Sequence, residues 1–361
     1  MGTTEVLETP LTRLAGIRYP IVQTGMGFVA GAALAAATSR AGGLGVIASA
    51  PMSVPELKAA VAQVKDATDA PFAVNMRSDS PDVQERVDLV IREGVKVASF
   101  ALAPRRDVIA KLKDAGVVTI PSIGARRHAE KVAEWGVDAV IVQGAEGGGH
   151  TGTVPTSLLL PQVVDAVDIP VVAAGGYFDG RGLVSALAYG AAGIAMGTRF
   201  LLSADSEVPD AVKQIYLGKS VTDTFVTTAI DGAPSRTLRT ERAELLDRSG
   251  PLARLARSAR AAKDWRALSG TSWLALAREG LAMRRNQKLP IAEILMAANA
   301  PMLYRAAMID GDPRFGVMAS GQVVGLIEDL PTVEQIISGV MAEAHEALTR
   351  LHTLTAVPAA S

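Results

Sequence analysis

The chain has 361 residues, of which 49% are hydrophobic and 20% charged, a composition typical of a globular protein with a large core. Its formal net charge of −1 gives no overall attraction to nucleic acid or to an anionic membrane surface. It contains no cysteine, which excludes disulfides, thiolate metal sites and a cysteine nucleophile.

The start of the chain does not read as a secretory signal. Its first twenty residues carry Glu5, Glu8, Arg13 and Arg18 and lack a continuous apolar stretch. Further along, no uninterrupted apolar run reaches the roughly 18 residues of a membrane-spanning helix. We therefore expect a cytoplasmic protein with neither a membrane nor a nucleic acid as partner.

Short apolar runs rich in β-branched residues alternate with helical patterns over the first 206 residues. Several of the helical patterns, such as VPELKAAVAQVKDA and DVQERVDLVIREG, are amphipathic. Alternating strands and helices predict parallel βαβ units, and eight such units make a (β/α)8 TIM barrel. The eight predicted strands are residues 20–24, 44–49, 72–76, 97–102, 117–123, 139–144, 170–176 and 193–200.

A doubly wound open sheet is the alternative fold. Such sheets usually carry a GxGxxG turn after their first strand, whereas the first strand here runs into TGMGFVAG, which does not fit. The barrel is therefore the favoured prediction.

After the eighth strand the pattern changes. Residues 207–305 have mostly helical periodicity with no further strand series, and the stretch 236–288 has thirteen Arg or Lys against five Asp or Glu. We predict a barrel over 1–206, with a helical, arginine-rich insertion or lid over 207–305. A segment that returns to the barrel and ends in an amphipathic helix should follow over 306–352, and a disordered tail over 353–361.

Residues at strand ends carry weight because the reactive end of such a barrel is its C-terminal face. Polar residues or glycines stand there, and the simplest structural reading of the glycines is that they make tight turns. These strand-end residues are Gln23, Asn75, Ser122, Gln143, Gly175 and Gly197.

The ends of the last two barrel strands suggest a phosphate site. Barrels often bind phosphate with the loops after those strands, because glycines allow close backbone approach and the next helix begins with unpaired N–H groups. Gly175, Gly176, Gly197 and Thr198 are the candidate phosphate cradle.

The loop after the sixth strand, QGAEGGGHTG, contains His150 among five glycines. An imidazole with a near-neutral pKa suits proton abstraction, yet the same pattern also fits a flexible loop with an incidental histidine. The other histidines, His128, His345 and His352, lie in helical patterns and read as surface residues. A metal site is not expected, because no second histidine or carboxylate pair has suitable spacing.

Several motifs together resemble the nitronate monooxygenase, or 2-nitropropane dioxygenase-like, flavoproteins. They are QTGMG, RAGGLGVIAS, FAVNM, QGAEGGGHTG, AAGGYFDGRG, AMGTRF and GVMASGQVVGLI, which together span nearly the whole chain. The resemblance implies a (β/α)8 fold and FMN as cofactor.

The resemblance also implies roles for single residues. Gly175, Gly176, Gly197 and Thr198 would hold the FMN phosphate, and His150 would be the base that faces the substrate. The residues lying against the flavin would be Met26, Asn75, Gln143 and Gly144. One position departs from the family, whose members commonly have proline where this chain has Gly25, so nitronate specificity is not carried over.

The stretches KVASFALAP, PSIGARRHA and VTTAIDG, with the arginine-rich insert, resemble an actinobacterial branch linked to steroid C/D-ring breakdown. This implies dehydrogenation, or reduction, of a cyclic keto acyl-CoA thioester beside its carbonyl. His150 would take the proton and the flavin the hydride. Guanidinium groups suit the phosphates of CoA, although most arginines in the insert are expected on solvated helix faces.

Other functions stay open at this point. A nitronate monooxygenase would oxidise alkyl nitronates with oxygen, and an enoyl-thioester reductase would use a nicotinamide. A flavin-binding protein without turnover has no evident use for His150. The physiological substrate, the electron acceptor, the direction of the reaction and the assembly, with a homodimer among the options, are not fixed by the sequence.

Overall fold

Eight parallel strands form the centre of the computed structural model, which describes residues 7–250 and 299–355. The order of the strands around the sheet is β1-β9-β8-β6-β5-β4-β3-β2. All eight coincide with the predicted strands, so the (β/α)8 prediction is confirmed. Their bounds are β1 Ile21–Gln23, β2 Gly45–Ala48, β3 Phe72–Arg77, β4 Val97–Ala101, β5 Val118–Ile123, β6 Val140–Gln143, β8 Val171–Ala174 and β9 Gly193–Met196.

The sheet closes on itself between β1 and β2. Val22 and Leu44 form a parallel bridge, and the Leu44 N–H donates to the Ile21 carbonyl at 2.9 Å. The buried Gln23 amide adds two side-chain bonds, accepting from Val46 N–H at 3.1 Å and donating to the Val46 carbonyl at 3.2 Å. Closure leaves no exposed edge.

The barrel interior is packed with small and branched apolar side chains. Since such a barrel is a core and not a pore, chemistry has to take place at the strand ends. The interior is lined by Val22, Leu44, Val46, Ala73, Val97, Ser99, Ile120, Ile141 and Val172.

Helices cover the outside of the barrel, and several begin at a residue whose side chain caps the first turn. Before α3, for example, the Ser53 hydroxyl accepts from the Glu56 N–H while the Glu56 carboxylate accepts from Ser53 N–H. The helices are α1 Pro10–Ala15, α2 Ala32–Arg40, α3 Val54–Ala67, α4 Val83–Arg92, α5 Arg106–Asp114, α6 Arg126–Glu134, α7 Thr156–Val164, α8 Gly180–Ala188, α9 Thr198–Leu201, α10 Asp210–Leu217, α11 Glu241–Asp247, α12 Asn299–Met308 and α13 Val333–Thr355, with a 3-10 turn at Gln322–Leu326.

A second, three-stranded sheet stands beside the barrel, and here the sequence prediction is wrong. The stretch predicted as helical without further strands contains β10, Thr224–Thr227, and β11, Ser235–Leu238. The third strand is β7, Gly149–His150, which lies in the glycine loop after β6. Most of the arginine-rich stretch, residues 251–288, lies outside the described residues, so its role as a lid stays a prediction.

The C-terminal helix α13 packs against α8 and α2. At the start of α8, Gly180 lies so close to α13 that a side chain there would overlap the Ala344 nitrogen and the Val340 carbonyl oxygen. The Gly180 N–H also donates to the Glu343 carboxylate of α13 at 2.9 Å. The helix continues to Thr355, so the tail predicted to begin at 353 is helical for three more residues, and 356–361 lie outside the described residues.

We predict that Gly180→Ala lowers the free energy of unfolding by about 1 to 3 kcal/mol, because α8 and α13 would have to move apart. Gly339→Ala is the matched control, since Gly339 lies within α13 with open space around it and a gain of about 0.5 to 1 kcal/mol is expected there. Urea unfolding of the three proteins measures both. Equal midpoints for Gly180→Ala and the unchanged protein would contradict this packing.

Candidate active site

The glycine loop after β6 is held in place as part of the second sheet. His150 lies opposite Ser235 and Gly149 opposite Arg236 in an antiparallel pairing with β11. The next residue, Thr151, donates its N–H to the Pro234 carbonyl at 3.1 Å. The loop is therefore fixed by backbone bonds and does not hang free.

Side chains fasten the inner part of the same loop. The Gln143 amide donates to the His150 carbonyl at 2.8 Å. The Arg236 guanidinium donates twice to the Ala145 carbonyl, at 3.1 and 3.0 Å, and once to the Thr224 hydroxyl at 3.0 Å. Burial lowers the pKa of Arg236, an effect that the nearby Glu146 carboxylate opposes.

His150 has a carboxylate partner that sequence reasoning missed. Its Nε2 lies 2.7 Å from Oδ2 of Asp231, which follows β10, and the imidazole side chain is 55% exposed while that of Asp231 is 11% exposed. The hydrogen bond to Asp231 raises the pKa of His150 above its ordinary value of 6.5, against the opposing effects of burial and of the Arg77 charge. The pair is 81 residues apart in sequence, so no local pattern signals it.

Of the other histidines, His128 and His352 are exposed, as predicted. His345 is half-buried instead, with Nδ1 at 2.6 Å from the Met341 carbonyl oxygen. Within residues 7–250 and 299–355, no group of three or more His, Asp or Glu side chains is arranged to hold a metal ion.

Three of the predicted cofactor residues meet at the ends of β6 and β8. Gly175 and Gly176 have φ angles of +91° and +89°, in the left-handed region that favours glycine. The Thr156 hydroxyl donates to the Gly175 carbonyl at 2.8 Å, and a side chain at Gly144 would overlap that hydroxyl. These glycines therefore allow the loop after β6, the loop after β8 and the start of α7 to approach one another closely.

The Glu146 carboxylate lies beside these glycines but is already engaged. It accepts the N–H of Thr156, at 3.0 and 3.2 Å to its two oxygens, and one of these oxygens lies 2.7 Å from the Thr156 hydroxyl, which shares its single hydrogen between Glu146 and the Gly175 carbonyl. The negative charge of Glu146 therefore lies at the N-terminal end of α7, where the helix dipole stabilises it.

A second group forms at the end of β9. A side chain on Gly197 would lie 3.1 Å from the Thr24 hydroxyl and 3.4 Å from the Met26 sulfur, so Met26 covers this turn. The buried Thr198 hydroxyl accepts the Gly321 N–H at 3.0 Å and can still donate one hydrogen bond itself. Gly197 and Thr198 begin α9, where backbone N–H groups lack helical partners.

Asn75 lies at the end of β3, on the rim that the C-terminal ends of the barrel strands form. Its amide donates to the Ser99 hydroxyl at 3.1 Å. A side chain at Gly25 would lie 2.6 Å from the Asn75 Cβ atom, so the glycine at the position that departs from the family lets the β1 loop pass directly over Asn75.

All the predicted site residues thus lie on the C-terminal face, but in separate groups. Gly144, Gly175 and Gly176 are together, Met26 joins Gly197 and Thr198, Asn75 lies beside Gly25, and Gln143 is bonded to His150. Glycine backbone, an amide and a histidine on a fixed strand are groups that a phosphate-bearing cofactor can use as hydrogen-bond partners.

A comparison with known families identifies the family to which the chain belongs. The sequence profile described as nitronate monooxygenase matches residues 8–88 and 82–343. The chain belongs to the nitronate monooxygenase family. This confirms the resemblance seen in the sequence and makes the protein a flavin-dependent oxidoreductase.

Two curated relatives in this family match nearly the whole chain. They come from Rhodococcus jostii (strain RHA1), 56% identical, and Mycobacterium tuberculosis (strain ATCC 25618 / H37Rv), 57% identical, each covering 97% of this chain and 99% of its own. Both are named (3aS,4S,5R,7aS)-5-hydroxy-7a-methyl-1-oxo-octahydro-1H-indene-4-carboxyl-CoA dehydrogenase. Among solved structures, FabK from Thermotoga maritima is 34% identical with a TM-score of 0.77, covering 96% of this chain and 99% of its own.

We predict that Arg236→Lys lowers the free energy of unfolding by about 1 to 2 kcal/mol, because lysine keeps the charge but cannot place two donors on the Ala145 carbonyl. Urea unfolding measures the change. Arg248→Lys is the control, since Arg248 pairs with Glu244 on the exposed face of the same segment and should change stability by less than about 0.5 kcal/mol. Equal losses in both variants would mean that Arg236 does not hold the loop.

Proposed function

We propose that the protein is an FMN-dependent dehydrogenase of a bicyclic keto acyl-CoA thioester, of the kind in the names of its two relatives. The support is identity of 56% and 57% over nearly the full length of all three chains. Each relative is matched over 99% of its own length.

The rim residues support FMN as the flavin. Gly175, Gly176, Gly197 and Thr198 would hold the phosphate through their backbone N–H groups, with the hydroxyl of Thr198 as a further donor. Met26, Asn75, Gln143 and Gly144 would lie against the ring system. When bound, the flavin supplies a two-electron acceptor for a hydride.

The observation that carries the proposal is the placement of His150 on a paired strand at the mouth of the barrel. The carbonyl of a thioester acidifies the C–H bond on the neighbouring carbon, and an imidazole in hydrogen-bond reach of that proton is suited to act as its general base. His150 would take that proton while the hydride leaves the neighbouring carbon for the flavin. The substrate then loses one proton and one hydride, and a carbon–carbon double bond conjugated with the thioester forms.

The CoA part of the substrate would need cationic partners. Four of the thirteen basic residues in the stretch 236–288 are in the described part of the chain. Of these, Arg236 holds the Ala145 carbonyl, and Arg239 and Arg248 both pair with Glu244. The other nine basic residues of this stretch are in 251–288, and the lid prediction assigns contacts with CoA phosphates to the stretch as a whole.

We predict that His150→Ala keeps its bound flavin and loses turnover by about 10²- to 10⁴-fold, the usual contribution of a general base. The assay measures the rate at which the indane carboxyl-CoA thioester bleaches the flavin absorbance under anaerobic conditions. His128→Ala is the control, because His128 is exposed on α6 and should turn over normally. Unchanged turnover in His150→Ala would rule out the assignment of the base.

Two assays of the unchanged protein distinguish this activity from that of a nitronate monooxygenase. Oxygen consumption with propionate 3-nitronate, together with no anaerobic bleaching by the thioester, would show a nitronate monooxygenase instead. No helix in the described ranges is long and apolar enough to cross a membrane. A cytoplasmic location stays a prediction from the sequence.

A further inference from the structure

The contact between Asp231 and His150 determines which nitrogen of the imidazole ring carries the hydrogen. Asp231 uses its two oxygens separately, since Oδ1 accepts the Ala233 N–H at 3.1 Å and Oδ2 faces His150 Nε2 at 2.7 Å. An ionised carboxylate can only accept hydrogen bonds. The Nε2 atom must therefore carry a hydrogen, and in the neutral ring the lone pair is then on Nδ1.

The surrounding charges keep Asp231 ionised. Burial of its carboxyl opposes ionisation, but the hydrogen bond and charge of His150, the Ala233 N–H and the Arg77 charge outweigh it, so the pKa of Asp231 lies below its ordinary value. Arg77, at the end of β3, is bonded through two nitrogens to Asp79, at 3.0 and 2.8 Å. Tyr304 also faces this carboxylate, and burial raises the pKa of its phenol to about 12, so it adds no charge near neutral pH.

The second sheet builds this arrangement. Asp231 lies between β10 and β11, and β11 pairs with the strand that bears His150, so one hairpin fixes both partners. The Tyr304 hydroxyl lies 3.2 Å from the hydroxyl of Ser235, the residue opposite His150, which ties the hairpin to α12.

We propose that Asp231 is a positioning residue that holds His150 as its Nε2–H tautomer, so that Nδ1 is the atom that accepts the substrate proton. This rests on the proposed function, in which His150 is the base. Asp231 itself touches neither the substrate nor the flavin in this account.

The test uses Asp231→Asn and Asp231→Ala. Asparagine has one acceptor oxygen where aspartate has two, and if that oxygen stays with the Ala233 N–H, the amide NH₂ faces Nε2. Nε2 must then accept, which moves the hydrogen to Nδ1 and blocks the base. We expect Asp231→Asn to lose turnover by about 10²- to 10⁴-fold, at least as much as Asp231→Ala. If Asp231 had a purely structural role, Asp231→Asn would lose less turnover than Asp231→Ala, because asparagine has nearly the same shape as aspartate.

The pH profile gives a second readout. A base works only when neutral, so turnover should fall as pH drops through the raised pKa of His150. Asp231→Ala removes the interaction that raises this pKa, so the acidic limb should move to lower pH while the plateau falls. Glu241→Gln, which removes an exposed negative charge from the same segment, should leave the limb unmoved.

Nitrogen-15 NMR of histidine-labelled, flavin-bound protein tests the tautomer without turnover. The His150 signal, assigned by its loss in His150→Gln, should show protonated Nε2 and bare Nδ1 at high pH in the unchanged protein. Protonated Nδ1 there, or Asp231→Asn within tenfold of normal turnover, would overturn the proposal. Failure of the thioester to bleach the flavin of the unchanged protein would instead overturn the proposed function and would leave the tautomer result standing, so the two failures are distinguishable.

Discussion

The antiparallel pairing of β7 with β11 is the constraint on which the candidate site depends. A barrel strand can place a residue at its own end, but His150 lies seven residues beyond the last residue of β6, in a loop rich in glycine. Glycine makes such a loop costly to order, because it has more conformational freedom to lose than any other residue. Pairing with β11 supplies the backbone bonds that offset this cost and direct the imidazole.

The barrel and the second sheet thus contribute different parts of the site. The strand ends of the barrel supply glycines at which the backbone can approach a flavin closely, and they are rigid because the interior behind them is packed. The hairpin of β10 and β11 supplies the histidine's partners: Ser235 opposite it and Asp231 at its Nε2, with Arg236 holding the base of the loop.

The barrel was predictable because its strands are buried on both sides and therefore read as short runs of Val, Ile and Ala between amphipathic helices. The second sheet was not. Its strands have the sequences TFVT, SRTL and GH, too short and too polar to distinguish from loop. The glycine-rich sequence around His150 is enough to single out this histidine. Asp231 approaches it only through the long-range strand pairing, so no local sequence pattern predicts their contact. The cofactor roles of the rim residues stay predictions, since geometry brings them to one face without showing what they bind.

Strand pairing should hold His150 in place before any ligand binds, and hydrogen exchange of the full chain stripped of flavin measures whether it does. The Thr151 amide, which donates to the Pro234 carbonyl at 3.1 Å, reports on the end of that pairing. We expect this amide to exchange far more slowly than an amide in an open glycine-rich loop would. Exchange at the rate of an unstructured peptide would contradict it, because the base would then be positioned by the ligand and not by the fold.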